Sequence, residues 1–465
     1  MLNEHKACKL DSRKRTSVPS TQQRLEIPNA PFPKGCKHSL VRSPLNTMTP
    51  RINAAVPGAD QYFPVNIPPI GTSYSKDEYP QNANLPQLFR PITLKGTTFK
   101  NRIFTSPMCQ YSSDNGHATD WHFVHIGALA TRGVGAITME ATSVVPEGRI
   151  SPQDAGLWTD SQIAPLKRIV NFVHAHDTKI GIQLSHAGRK ASTLPPWIHD
   201  RFAKIDPTAP SAARNDEDGW LGSVYGPSAT AHSPTYPLPR ESTEEDLLRI
   251  EDAFLQSVER AKAAGYDYIE IHGAHGYFIH EFLSPIANER TDHYGGSLEN
   301  RMRFPLRLIK KVREAWDKPL FVRISATDWA EGPEQENGVW KYWGIEQSKI
   351  LVGELAKIGI DLLDCSTGGV YYKQKIPVGP LYQVPFAQAV KEAYPALVVG
   401  AVGLITTPQQ AESVLEDGKA DLVFLGRELL RNPNFALTAA LELGTVIKPA
   451  NQYERAWTRL YKPKH

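Results

Sequence analysis

Residues Tyr268–Pro285 read YIEIHGAHGYFIHEFLSP. The stretch opens on a short apolar run that is strand-like in composition and too short for an independent helix. It then turns polar, with His272 and His275 three residues apart and Tyr277 two residues further on. Seven other runs have the same character: RIFTSPM (Arg102–Met108), AITMEAT (Ala136–Thr142), IGIQLSHAG (Ile180–Gly188), LFVRIS (Leu320–Ser325), DLLDCS (Asp361–Ser366), LVVGAVG (Leu397–Gly403) and DLVFLGR (Asp421–Arg427). Helical patterns lie between them. The clearest, Thr243–Ala264, has Ser242 or Thr243 as N-cap, acids in its first turn, an apolar stripe at Leu247, Ile250, Phe254 and Val258, and Gly265 as its stop. Leu298–Trp316, Ile345–Ile358, Thr407–Glu416 and Asn432–Leu443 behave similarly.

Eight buried strands alternating with helices imply an α/β fold with a parallel sheet, either a closed (β/α)₈ TIM barrel or an open doubly wound sheet. Polar residues decide for the barrel. Ser106–Cys109, Gln183, His272, Arg323, Ser366–Gly369, Gly403 and Gly426–Arg427 fall at the C-terminal ends of nearly all the strands. Barrel enzymes build their sites there, whereas a doubly wound sheet gathers such residues at one switch point. No GxGxxG follows an early strand.

The 465 residues divide unevenly. Met1–Arg51 carries ten Lys/Arg against three Asp/Glu, is rich in Ser, Thr and Pro, and shows no helical period. Residues 1–50 therefore read as a disordered basic N-terminal extension. A mitochondrial presequence is the alternative, which the early acids Glu4 and Asp11 disfavour. Residues 51–84 read as an extended Pro-rich arm, 85–445 as the barrel and 446–465 as a C-terminal tail. Residues 191–240, after the third strand, are long, aromatic and Pro-rich and suit a lid or rim. Asp328–Trp343 is a shorter excursion after the fifth strand.

Composition excludes several classes. A net charge of +3 gives no basic field for nucleic acid. The chain has no signal-peptide h-region and no run of 18 apolar residues, so no membrane span is expected and the compartment expected is the cytoplasm. Cys8, Cys36, Cys109 and Cys365 form no CxxC pair and fit neither a zinc ribbon, an iron–sulfur cluster nor a disulfide framework.

At the last two strand ends, glycines precede helix starts. They make either an anion site reinforced by Arg427 or simply tight turns. Cys109 is a small buried hydrophobe, a nucleophile lacking a local base, or a cofactor contact. Gln183 offers a donor and an acceptor to a flat heterocycle, or anchors a loop. Arg323 ends an apolar strand, where a cation needs an internal carboxylate or an anionic cofactor. His272 and His275 allow metal binding, a structural role, or donation to one substrate oxygen with Tyr277 as acid. The other strand ends supply Cys, Gln, Arg and Gly rather than further ligands, and Arg323 disfavours a cation, so no metal is expected.

The motifs NRIFTSPMCQY (Asn101–Tyr111), IQLSHAGRK (Ile182–Lys190), GYDYIEIHGAHGYFIHEFLSPIANERTDHYGGSLENR (Gly265–Arg301), FVRISATDW (Phe321–Trp329), VGLI (Val402–Ile405), FLGRELLRNP (Phe424–Pro433) and NQYERAW (Asn451–Trp457) resemble the Old Yellow Enzyme family of flavin-dependent ene-reductases, in its thermophilic-like subgroup. The resemblance implies FMN on the C-terminal face of the barrel, with NADPH or NADH as hydride donor and an enone as substrate. It implies flavin contacts from Ser106, Pro107, Met108, Cys109, Ala141 and Gln183. Arg323 would stand beside the reduced, anionic ring, and Gly403, Gly426 and Arg427 would hold the phosphate. His272 and His275 would bind the carbonyl oxygen, Tyr277 would protonate the α-carbon, and Tyr111 and Lys190 would line the pocket. Arg455 would reach a neighbouring subunit's site in a homodimer or homotetramer. The alternative is a flavin-dependent dehydrogenase or oxidase on the same barrel with a different substrate. The basic tail has no counterpart in the family, so Met48 is a candidate start of the family-like region, and Pro333 stands where the family usually has Gly.

Overall fold

The structure, a computed structural model, describes residues 54–461. The expected basic tail and the end of the C-terminal tail lie outside them. Eight parallel strands close into a barrel: β1 (Ile103–Thr105), β2 (Ala136–Ser143), β3 (Lys179–Ser185), β4 (Tyr268–Gly273), β5 (Leu320–Ser325), β6 (Leu362–Ser366), β7 (Val398–Ala401) and β8 (Leu422–Leu425). Each pairs with its neighbour in sequence, and β8 returns to β1 with Phe424 opposite Phe104. All eight lie within or across the eight runs of the sequence.

The outer ring is α1 (Asp120–Ala130), α2 (Ile163–His174), α3 (Glu244–Ala264), α4 (Leu298–Ala315), α5 (Ile345–Ile358), α6 (Val384–Ala393), α7 (Pro408–Glu416) and α8 (Phe435–Glu442). In α3, Thr243 Oγ1 accepts from the Asp246 amide, and the Asp246 carboxylate accepts from the Thr243 amide. Gly265, at φ 93°, ends the helix where only glycine is relaxed. Leu247, Ile250, Phe254 and Val258 are fully buried, each contributing about 1.5–3 kcal/mol of apolar burial. Helices α1, α2 and α6 have no counterpart in the sequence expectations. The α1 stripe is blurred by exposed Trp121 and Val124. Pro165 and Pro385 look like breakers but lie in the first turns of α2 and α6, where no N–H is needed.

Inside the barrel, side chains alternate inward with period two and stack in layers. The lowest layer is aromatic. Phe104, Tyr268, Phe321 and Phe424 meet there, and Phe99 of a hairpin (Ile92–Leu94 with Thr97–Phe99) plugs the N-terminal end. Gly181 makes room for Tyr268: a Cβ there would lie 2.1 Å from the ring. The next layer up β3, β4, β5 and β6 holds Gln183, Glu270, Arg323 and Asp364, all buried. Above it the strands end in His272, Ser325 and Ser366.

The arm is stitched to the tail rather than simply laid on a surface. The Gly71 amide donates to Lys448 O at 2.8 Å, Lys448 N to Thr72 O at 2.8 Å, and Tyr74 N to Val446 O at 3.1 Å. Among the described residues, no helix is long and apolar enough to cross a membrane.

Candidate active site

The cavity on the C-terminal face has a volume of about 420 Å³. That is within the roughly 300–1,000 Å³ typical of small-molecule and cofactor sites. The loop after β1 brings Ser106, Pro107 and Met108 to it, and the segment after β3 brings Lys190. His275 enters beyond β4, Arg323 from β5, Gly403 beyond β7, and Gly426 and Arg427 beyond β8. Cys109 is half-buried with its sulfur against the Ala141 backbone. Burial, reinforced by Asp154 and Glu140, pushes its thiol well up, away from a reactive thiolate. Gln183 sits one layer lower and donates from Nε2 to Glu270 Oε1 at 2.7 Å.

Of the two partners expected for Arg323, the internal carboxylate is present. Arg323 Nε lies 3.0 Å from Asp364 Oδ2, with the two side chains 7% and 0% exposed, and the guanidinium still lines the cavity. The positive charge therefore faces the ligand space as well. Ser106 Oγ and Arg323 Nε are buried without an aligned hydrogen bond. Ser106, Pro107, Gly403 and Gly426 on the wall, with the Arg323 and Arg427 guanidiniums, suit a flat heteroaromatic group with an anionic tail.

The His-Tyr group occupies the bend that follows β4. The His272 and His275 rings are 5.2 Å apart and nearly perpendicular, and the Tyr277 ring is 5.0 Å from that of His272. Burial first, then the Arg323 charge, holds both histidines well below their ordinary range, so both are neutral near pH 7. Burial raises the Tyr277 phenol, which therefore keeps its proton. Among the described residues, no group of three or more His, Cys, Asp or Glu is placed to hold a metal ion.

The bend needs unusual backbone. His275 has φ 59° and Gly276 φ 69°, and a Cβ on Gly276 would meet Gly369 O at 2.1 Å. Several side chains hold it. Ser325 Oγ accepts from His275 N at 2.9 Å, and His280 Nδ1 accepts from Gly276 N at 2.9 Å. His280 Nε2 lies 3.1 Å from the buried Asp328. Lys190 Nζ donates to His275 O at 2.6 Å and Gly369 O at 3.1 Å, and sits 4.5 Å from the Tyr277 ring centroid. Lys190 is thus an anchor of the bend as well as a lining residue. Ser366, which pairs with His275 Nε2 at 2.7 Å, and Gln383, which accepts from Thr367 at 2.6 Å, also line the cavity. Sequence reasoning placed Ser366 at a strand end but gave it no role. It missed Gln383 entirely, because α6 carried no clear signal.

Tyr111 lies beside the site with φ 49°, its ring 5.4 Å from Trp197. Trp197 belongs to the helix Pro196–Ala203 in the long excursion, which therefore overhangs the loop after β1. Arg455 is the candidate that the fold keeps away. It is exposed in the turn Glu454–Trp457, next to Tyr453, whose ring receives Arg132 at 4.0 Å. Arg132 stands between α1 and β2, at the opposite, N-terminal face of the barrel.

The chain matches the NADH:flavin oxidoreductase / NADH oxidase family over residues 87–445. It is 44% identical to an NADH:flavin oxidoreductase of Gibberella zeae over 409 residues, 86% of this chain and 95% of that one. It is 46% identical to an NADPH dehydrogenase of Halalkalibacterium halodurans over 373 residues, 80% of this chain and 99% of that one. Among solved structures, morphinone reductase superposes with a TM-score of 0.60 at 25% identity, covering 79% of this chain and 92% of that one. The barrel, the cavity and these likenesses agree that this chain is an FMN-binding oxidoreductase of the NADH:flavin oxidoreductase / NADH oxidase family, the Old Yellow Enzyme family.

Proposed function

We propose that the protein reduces the C=C bond of α,β-unsaturated carbonyl compounds at the expense of NADPH or NADH. One observation carries the reading. Two neutral imidazoles and a protonated phenol stand together in the bend after β4, and His275 of that group lines the cavity that Arg323 also lines.

Ser106, Pro107, Met108, Cys109, Ala141 and Gln183 would hold the isoalloxazine ring, and Gly403, Gly426 and Arg427 the phosphate. Bound FMN supplies reversible hydride chemistry. Arg323 offsets negative charge in the cavity. His272 and His275 donate N–H bonds to the carbonyl oxygen and stabilise the enolate charge that develops there. Their neutrality matters, because each ring then keeps one N–H and one acceptor nitrogen. His275 Nε2 lies 2.7 Å from Ser366 Oγ, so one nitrogen of that ring is engaged by the protein and the other is left for the ligand space. His272 Nδ1 is buried without a partner among the described residues, as a group reserved for a ligand would be. Tyr277 gives its proton to the α-carbon. The Lys190 ammonium over its ring eases the charge left on the phenolate. Tyr111 and Trp197 close the rim. The NH and OH groups at the rim match the enone oxygen and α-carbon, which a flavin dehydrogenase or oxidase of another substrate class would not need together.

Arg455 cannot serve the cavity of its own barrel from the opposite face. We assign it to a neighbouring subunit's site in a homodimer or homotetramer. Light scattering on the purified protein tests this, and a monomer that is fully active refutes it. The reaction itself is tested with cyclohexenone and NADPH under nitrogen. The wild type should turn over, and the His272→Ala/His275→Ala variant should lose most of kcat/KM. Full activity in that variant overturns the assignment.

A further inference from the structure

The layer beneath the cavity contains more negative than positive charge. Gln183 on β3, Glu270 on β4, Arg323 on β5 and Asp364 on β6 meet inside the barrel, and Glu270 and Asp364 have no exposed surface. Among the described residues, the neighbours of the layer supply no further charge. Below lie the Tyr268 phenol, bonded to Thr138 Oγ1 at 2.9 Å, and the rings of Phe104 and Phe424. Above lies His272, which is neutral. Two carboxyls therefore share one guanidinium. Glu270 Oε1 is met by Gln183, but Glu270 Oε2 and both Asp364 oxygens lack an aligned donor among the described residues.

Burying a second, uncompensated carboxylate costs more than binding a proton. Burial and the facing Asp364 raise Glu270 to about 8, and burial raises Asp364 to about 6 against the pull of Arg323. The two carboxyls titrate as a pair. Arg323 is the member of the layer that also lines the cavity. Any negative charge arriving in the cavity draws on the same guanidinium that the carboxyls depend on, which raises their affinity for protons.

We propose that Glu270 and Asp364 hold one proton between them beneath the FMN site and take up a second from solvent when the cofactor is reduced. The step balances. NADPH transfers a hydride to FMN, leaving one added negative charge in the cavity, and a solvent proton forms an O–H bond on the second carboxylate. When the hydride leaves for the acceptor, that O–H bond breaks and the proton returns to solvent. Glu270 and Asp364 are positioning residues that touch the cofactor only through Arg323. The inference rests on FMN in this cavity and not on the enone assignment.

The test uses the holoenzyme with one equivalent of NADPH, without enone, in dilute buffer containing a pH indicator. Flavin bleaching in the same cuvette counts reduction, so a missing proton is distinguishable from missing reduction. The wild type should take up as much as one proton per flavin near pH 7. Glu270→Gln and Asp364→Asn each leave one carboxylate against one guanidinium and should take up none. No uptake in the wild type, or equal uptake in both variants, overturns the proposal. A reduced-minus-oxidised infrared difference spectrum of the wild type gives a second readout that needs no variant. It should gain a carboxylic-acid band and lose a carboxylate band, and the absence of that exchange overturns the proposal equally.

Discussion

The two sides of the cavity are built from different materials. On the β4–β6 side, side chains do the work: His275, Arg323 and Ser366 line the cavity, His275 paired with Ser366 and Arg323 with Asp364, and His272 and Tyr277 pack beside His275. On the β7–β8 side, the wall includes Gly403 and Gly426, where main chain can approach a ligand closely, and Arg427 and Arg431 bring positive charge beside Glu428. Gly403 has φ 130°, and a Cβ there would lie 2.9 Å from Gln383. Side-chain chemistry suits a site that must move protons and stabilise changing charge. Main-chain amides suit one that holds a constant anion.

Breaking the first side should alter turnover while leaving cofactor retention intact. Tyr277→Phe has the largest expected effect. Enone reduction should fall by about 10²–10⁴, the usual contribution of a positioned proton donor. NADPH-driven bleaching of the flavin should be nearly unchanged, as stopped-flow measurement of the two halves will show. Single His272→Ala or His275→Ala variants should lose about 10²–10³ in kcat, the cost of one oxyanion donor. If either substitution slows flavin reduction as much as enone turnover, the division of labour fails.

Backbone changes sharpen the contrast. Gly276→Ala forces a side chain into a left-handed residue whose Cβ would overlap Gly369 O. Strain alone costs about 1–3 kcal/mol, read as a lower urea midpoint. Gly403→Ala is strained too, because φ 130° disfavours any L side chain and the Cβ would meet Gln383 Cβ at 2.9 Å. It should mainly weaken FMN retention, seen as colour lost on dialysis, with enone turnover restored by excess FMN.

The last effect, on stability and not on turnover, concerns Glu281, behind the bend. It is fully buried, accepts from Arg189 N at 2.9 Å, and burial raises it to about 8. Its folded value lies above its unfolded one of 4.5, so the folded state holds more protons between them. Its contribution to stability is complete below about pH 4.5 and is lost as pH rises through about 8. Unfolding free energy should fall over that window with a slope of at most about 1.4 kcal/mol per pH unit from this group. Glu281→Gln should flatten the slope, and an unchanged slope would sink the assignment.

The His-Tyr bend was legible because its residues are neighbours in the chain. His272, His275 and Tyr277 could be read together from one stretch. The anchors of the bend could not. Lys190 reaches His275 across 85 residues, and Ser366 reaches it across 91. His280 stood in the same stretch, yet nothing local marked it as the acceptor for Gly276. Helix α6 was lost to a proline in its first turn, and Gln383 went with it.

Alternation of short apolar runs with amphipathic ones, and polar residues at the strand ends, were enough to determine the barrel and the face that carries its site. Period-two alternation also fixed that Glu270 and His272 share one side of a strand. The partners across strands were decided only by closure. The stagger of β5 against β6 sets Arg323 beside Asp364, and that of β3 against β4 sets Gln183 beside Glu270. Local pattern determines which way a side chain points, because that depends on the geometry of one strand. Which charge it meets there depends on how eight strands join, and that exists only in the folded barrel.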